Sequence, residues 1–347
     1  MPIVLDAMGS DQRPEPELIG SVEAARLIND EIILVGDEKV LRPRLETLNP
    51  AKLPVSIVHA PESLDMSDHV EDARRKKQNT MRIGMDLVKS GKASAFVTAG
   101  NTGMAMYYAL KVFDVIPGVM RPGLTAIFPV SGGYCVVLDI GANSECRPEY
   151  LLQFAVMGSI YAERLLGKKN SRIGLLANGE EAGKGNNLVR DTYPLLAASG
   201  LNFIGNVEGK ELFGGQADVV VTDGFTGNIL LKSSEAVAKL ITEMLRQALM
   251  SSTRTKIGGL LAKPAFNQLK KKMDPSEVGA APLLGVDGLV FIGHGRSDAH
   301  AITSALKVAH QAVELNLLHA LSQAIQEKLN GQSIAVDNPR FFKEESR

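Results

Sequence analysis

Cysteine is nearly absent from this chain of 347 residues. Cys135 and Cys146 are too few for a disulfide framework and fit a reducing compartment. Net charge is missing too. The 38 basic side chains offset 39 acidic ones, leaving a formal −1 with His neutral. No global field gathers nucleic acid, so the expectation is no nucleic-acid partner. Long apolar runs are also lacking. Residues 93–110 and 122–138 carry no charge, but Gly, Asn, Thr or Pro breaks each, so neither reads as a bilayer span. At the amino terminus, Asp6 and Asp11 stand where a signal peptide needs a basic start and an apolar core. The sequence predicts a soluble, cytoplasmic protein.

The common catalytic signatures fail as well. No GxGxxG follows a strand pattern, which removes the dinucleotide fingerprint. There is no GxSxG elbow and no HExxH metal motif. Residues 179–185 look like a phosphate loop but are one residue short. Gly185 stands where a magnesium-binding hydroxyl belongs, and Glu180 and Glu181 would repel phosphates. Ser304 and Lys307 match a nucleophile–lysine spacing by chance, inside an Ala-rich helical pattern. Cys135, in mid-strand, and Cys146, with no His beside it in sequence, both read as structural. No spacing demands a metal, and none demands a cofactor.

What is present is alternation. Short apolar runs at 3–6, 32–36, 55–59, 95–99, 126–130, 135–139, 173–177, 202–205, 219–223 and 289–293 read as strands. Most lack a polar/apolar period, the pattern of parallel strands covered on both faces. Helical patterns lie between them at 15–29, 80–90, 149–166 and 234–250, with a long one at 298–329. Only Ser131, Gly132 and Gly133 separate two strand runs, which predicts a hairpin and hence a mixed sheet. The expectation is a doubly wound α/β protein with one catalytic unit over 1–330, built as a single body or two intertwined lobes. A polar tail at 331–347 is expected to be flexible.

Six strand patterns run into small, polar, Gly-bearing turns: VLDAMGSD (4–11), FVTAGNTG (96–103), VVLDIGANSE (136–145), IGLLANGEEAGKGN (173–186), VVVTDGFTGN (219–228) and LVFIGHGRSDAH (289–300). Ligands of open α/β sheets sit at such strand ends, where glycine admits the backbone and helix N-termini offer N–H groups to anions. One turn alone is also plain turn geometry; six together favour a phosphate or polyanion cleft. Asp6, Asp139 and Asp223 each close a strand. They are either a converging base or metal site, or caps for the turn that follows. Of six histidines, only His294, between two glycines at a strand end, is well placed for chemistry.

The motifs LDAMGSD, RRKKQNTMR, VTAGNTG, LDIGAN, GLLANGEEAGKGN, GNVEGKE, DVVVTDGFTGN and LLGVDGLVFIGHGRSDA, in this order from residue 5 to about residue 300, resemble the phosphate acyltransferases of bacterial phospholipid synthesis (PlsX type). The sequence departs from that pattern at Ser144–Glu145 and at Arg296–Ser297, so neither Glu145 nor Arg296 inherits a role. The resemblance implies transfer of a long acyl chain from acyl carrier protein to inorganic phosphate, giving acyl phosphate. It also implies a mixed, mostly parallel sheet in a three-layer α/β/α sandwich, similar to isocitrate dehydrogenase and phosphotransacetylase, in a homodimer. Transient membrane-surface contact and a downstream membrane acyltransferase follow as partners.

That chemistry needs no covalent nucleophile and no redox cofactor, because phosphate attacks and a thiolate leaves. It needs in-line positioning and oxyanion stabilisation. Candidate catalytic residues are Lys184, Asn143 and His294. Candidates for substrate and phosphate binding are Asp6, Gly9, Asn101, Thr102, Gly103, Asp139, Asn186, Asp223 and Asn228. Residues 244–273 hold no acidic side chain, and Arg254, Lys256, Lys263, Lys270, Lys271 and Lys272 alternate there with apolar residues. This segment is the candidate docking surface for acyl carrier protein or membrane, or else a helical hairpin in a dimer interface, with Gly258, Gly259 and Pro264 loosening its helix. The rivals are a phosphotransacetylase-like or dehydrogenase-like enzyme of the same fold, and a non-catalytic membrane-surface scaffold that binds acyl carrier protein.

Overall fold

The computed structural model describes residues 1–329; the predicted flexible tail at 331–347 lies outside them. In chain order the first half runs β1 (Ile3–Asp6), α1 (Glu15–Ile28), β2 (Ile32–Gly36), α2 (Glu38–Leu48), β3 (Val55–His59), α3 (Val70–Arg75), α4 (Thr80–Lys89), β4 (Ala95–Thr98), α5 (Thr102–Phe113), β5 (Gly123–Val130) and β6 (Gly133–Leu138). Next come α6 (Pro148–Leu166), β7 (Ile173–Leu176), α7 (Asn187–Ala197), β8 (Phe203–Val207), α8 (Gly209–Phe213) and β9 (Val219–Val221). The chain continues through α9 (Gly224–Met250), α10 (Thr253–Met273), β10 (Ala280–Leu284), β11 (Val290–Gly293), α11 (Ala299–Glu314) and α12 (Leu317–Leu329).

One 11-stranded sheet runs through the body in the order β3-β2-β1-β4-β11-β10-β5-β6-β9-β7-β8. The strands without alternation are its interior: β1, β2, β4 and β9 are buried at every residue. Successive side chains still serve opposite faces. Ile3 and Leu5 pack in one core with Leu18, Phe154, Ile302 and Ile325, while Val4 packs in the other with Met81, Phe96 and Tyr108. Each fully buried Leu, Ile or Phe adds about 1.5–3 kcal/mol. Helices therefore cover both faces, and the three-layer sandwich follows.

Direction reverses across the middle of the sheet. β1, β2, β3, β4 and β11 are mutually parallel, and so are β6, β7, β8 and β9. Three antiparallel pairings, β11–β10, β10–β5 and β5–β6, join the blocks, so the blocks run in opposite senses. The predicted hairpin is the last of these pairings, with Val130 opposite Gly133.

Besides helices α2, α3, α5, α7 and α8, which the sequence reading does not mark, four differences stand out. That reading lacks β10, a run that holds Pro282, a residue unusual in a central strand. Pro282 in fact sits where the strand passes from β11 to β5 as its partner. The helix expected from 234 begins at Gly224, ten residues earlier. The single helical pattern at 298–329 is two helices, parted at Asn316, whose φ of 51° is left-handed; Asn tolerates that conformation better than most residues. Finally, α10 continues through Gly258, Gly259 and Pro264 rather than loosening. One missing donor does not end a helix when every other residue propagates it. Among the described residues no helix is long and apolar enough to cross a membrane.

Candidate functional site

The reversal sorts the strand-end loops into two sets. The first gathers the ends of β1, β4 and β11. Gly9 lies so close to Gly100 that a Cβ on it would stand 2.9 Å from the Gly100 nitrogen, which only glycine allows. Thr98 Oγ1 donates to Asp6 Oδ2 at 2.8 Å, and Met8 N–H donates to Asp6 Oδ1 at 3.1 Å. Burial pushes the Asp6 carboxyl up, against hydrogen bonds from Thr80, Thr98 and Met8 and the charge of Arg13. Asn101 caps α5 by accepting from Met104 N–H, and its amide donates to the Met66 and Asp68 carbonyls. Its side chain is thus committed, while the Thr102 and Gly103 N–H groups in the first turn of α5 remain unpaired. From β11, Gly295 O accepts from Asp11 N–H at 2.7 Å, which joins the loop bearing His294 to the loop after β1.

The second set gathers the ends of β6, β9 and β7. Asp139 is fully buried. Its Oδ1 accepts from Leu124, Gly141 and Ala142 N–H, and its Oδ2 from Asn143 N–H and Nδ2. Burial pushes its carboxyl up, and these donors oppose the rise. Asp223 caps α9 through Thr226 N–H and its hydroxyl. Gly224 donates to Asn143 O, and a Cβ on Gly227 would overlap the Asp139 carbonyl oxygen, so α9 starts pressed onto the Asp139 turn. Next along the sheet, Asn186 caps α7 by accepting from Val189 N–H. Lys184 and Asn228 are exposed, and among the described residues no hydrogen bond or ion pair engages the side chain of either.

The three strand-end aspartates therefore organise turns. Their oxygens are spent on backbone, hydroxyl and amide donors. Asn143 Nδ2 donates to Asp139 Oδ2 and to Pro122 O, so the predicted Asn143 amide orders its turn, and the groups left for an anion are N–H donors, Lys184 and the Asn186 and Asn228 amides. His294 lies apart from the second set. It contacts Glu235 of α9, 12 residues beyond the Asp223 cap, about 18 Å along the helix axis. Sequence reasoning missed Glu235, since nothing local marks a mid-helix glutamate. An open cavity of about 330 Å³ at His294 is lined by Asp11, Met66, Lys232, Gly295 and Arg296.

Neither cysteine is a nucleophile in waiting. Burial pushes both thiols up to about 12. Among the described residues one carboxylate trio, Glu180, Glu208 and Glu211, is tight enough to share a cation. The Lys210 ammonium already does this work, at 2.7, 3.4 and 3.5 Å from the three.

The segment at 244–273 completes α9 and forms α10, a helical hairpin. Leu249 of one helix lies against Gly259 of the other. Arg254, Lys256, Lys263, Lys271 and Lys272 are exposed. So are Leu240, Ile241 and Met244 on α9 and Ile257, Leu260 and Leu261 on α10, the last at 79%. Lys270 lies within α10.

These features define a class: a three-layer α/β sandwich with a mixed, mostly parallel sheet and Gly-bearing loops at its strand ends. Solved structures agree on the fold. A phosphotransacetylase from Streptococcus pyogenes superposes with a TM-score of 0.59 at 18% identity, covering 94% of each chain. A branched-chain phosphotransacylase from Enterococcus faecalis gives 0.56 at 14%, covering 90% of this chain and all of the other. A family profile described as "Fatty acid synthesis protein" matches residues 1–320. The phosphate acyltransferase of Elusimicrobium minutum is 45% identical over 94% of this chain and 96% of its own length, and that of Acidobacterium capsulatum 47% over 88% and 92%. The chain belongs to this family, the PlsX-type phosphate acyltransferases.

Proposed function

We propose that the protein transfers a long-chain fatty acyl group from acyl carrier protein to inorganic phosphate, giving acyl phosphate for phospholipid synthesis. The observation that carries this is the match to relatives named phosphate acyltransferase along nearly the whole chain. The site chemistry is compatible. A phosphate oxygen attacks the thioester carbonyl, the C–S bond breaks, and the carrier leaves as its thiolate. Burial pushes both thiols up, which disfavours an acyl-cysteine and suits direct attack by phosphate. The unpaired Thr102 and Gly103 N–H groups, behind the Gly9–Gly100 contact, hold phosphate. Lys184, Asn186 and Asn228 form the second anion-facing group, with Lys184 as its cation, beside the turn that Asn143 orders. His294 acts from the cavity on the first edge.

The basic, apolar hairpin docks an acidic carrier protein or an anionic membrane surface, in turn, and places the product near a downstream membrane acyltransferase. The protein works as a homodimer in the cytoplasm, with peripheral membrane contact. The test is incubation with acyl-acyl carrier protein and phosphate, followed by hydroxylamine trapping. A hydroxamate that forms only with phosphate present is expected. Hydroxamate formation indifferent to phosphate would defeat the reading.

A further inference from the structure

Glu235 belongs to none of the strand-end loops, yet α9 and the loop after β11 meet at its side chain. Its carboxylate meets cations from two elements. Lys232 Nζ of its own helix is 3.6 Å from Oε2. From the loop after β11, Arg296 Nη2 is 3.4 Å from Oε2 and His294 Nε2 is 3.5 Å from Oε1. The Glu235 side chain is 16% exposed, against 41% for His294 and 71% for Arg296. Its Oε1 is buried and accepts no hydrogen bond, although it faces the imidazole.

A buried carboxylate oxygen without a donor is costly, about 1–3 kcal/mol. The nearest donor is the His294 ring, within a small rotation of hydrogen-bond distance. Catalytic hydrogen bonds are often long before substrate binds and tighten on it. The remaining charged group at the ring is Asp11, which lines the same cavity.

We propose that Glu235 is the positioning residue for His294: its Oε1 accepts a hydrogen bond from Nε2–H, which fixes the tautomer and leaves Nδ1 as the ring's acceptor. Arg296 and Lys232 hold the carboxylate in place from the other side. Burial lowers the His294 pKa, Lys232 and Arg296 lower it further, and Glu235 alone pulls upward. The role in turnover rests on the acyl-transfer reading; the pairing itself does not.

Two measurements on the full chain separate these. The first is the His294 ring titration by NMR, with the His294 signals assigned by their loss in His294→Gln. In Glu235→Gln the midpoint is expected to move down, and Glu235→Asp to restore part of the shift. Arg296→Gln removes a charge of the opposite sign and is expected to move the midpoint up, which keeps the test sharp if Glu235→Gln folds poorly. A His294 midpoint that stays put in Glu235→Gln, or in Arg296→Gln should the first variant not fold, overturns the proposal. The second is the pH profile of phosphate-dependent hydroxamate formation. Glu235→Gln is expected to lower kcat about 10–100-fold with little change in KM for phosphate, and to shift one limb of the profile with the ring midpoint. A rise in KM alone overturns the positioning role. Titration shifts without turnover in the unmodified protein support the pairing and count against the acyl-transfer reading instead.

Discussion

Asp139 illustrates what a strand-end aspartate does in this protein. Five donors from Leu124, Gly141, Ala142 and Asn143 converge on two oxygens, so the carboxylate shapes the turn. Lys184 differs, because nothing among the described residues engages its ammonium. Lys184→Ala is expected to reduce the rate at limiting phosphate about 10²–10³-fold, the usual effect of losing a transition-state cation worth about 2–4 kcal/mol. Unchanged phosphate kinetics would return it to an ordinary surface lysine. Glu17 is a residue-scale liability. It is fully buried, accepts from Ser10 N–H, and burial raises its pKa to about 7. Because the folded value lies above the unfolded one, the native state holds the extra proton, and stability falls as pH rises from about 4.5 to about 7. Glu17→Gln should flatten that decline, by about 3 kcal/mol at most. Urea unfolding at pH 5 and pH 8 measures it; an unchanged difference between the two would show that Glu17 is not its source.

At the scale of elements, α9 carries two jobs in one helix. Its first turn is pressed onto the Asp139 turn through Gly224 and Gly227, and its far half projects as a hairpin. Gly227→Ala forces a methyl into the Asp139 backbone and should cost both stability and turnover. Gly258→Ala meets nothing within 4 Å and should stabilise α10 by about 0.5–1 kcal/mol with turnover intact. Thermal unfolding and initial rates on the pair check this; equal effects would mean the helix start is not fitted to the turn. Helices α1, α4 and α6 were legible within one or two residues, because an apolar face and clear start and stop residues announce them. Strand β10 was not, because its place is set by β11 and β5 on either side.

For the whole molecule, charge is balanced overall and concentrated locally. Replacing Lys263, Lys271 and Lys272 by Glu should weaken binding to acyl carrier protein or to anionic vesicles. The loss should be steepest at low salt, where screening is least. Should both bindings persist while the oligomer dissociates, the hairpin is a subunit interface. The amino-acid sequence by itself determined the α/β class, the mixed sheet and the family, because strand runs, a hairpin-length loop and ordered motifs are local records. It also marked the six Gly-bearing strand-end loops. Only the tertiary structure decided that these loops form two sets, since the reversal depends on three antiparallel pairings among strands up to about 160 residues apart. The same holds for Glu235, whose partners Lys232, His294 and Arg296 meet it across 61 residues of chain at the farthest. A mid-helix glutamate carries no local mark of that contact; packing alone creates it.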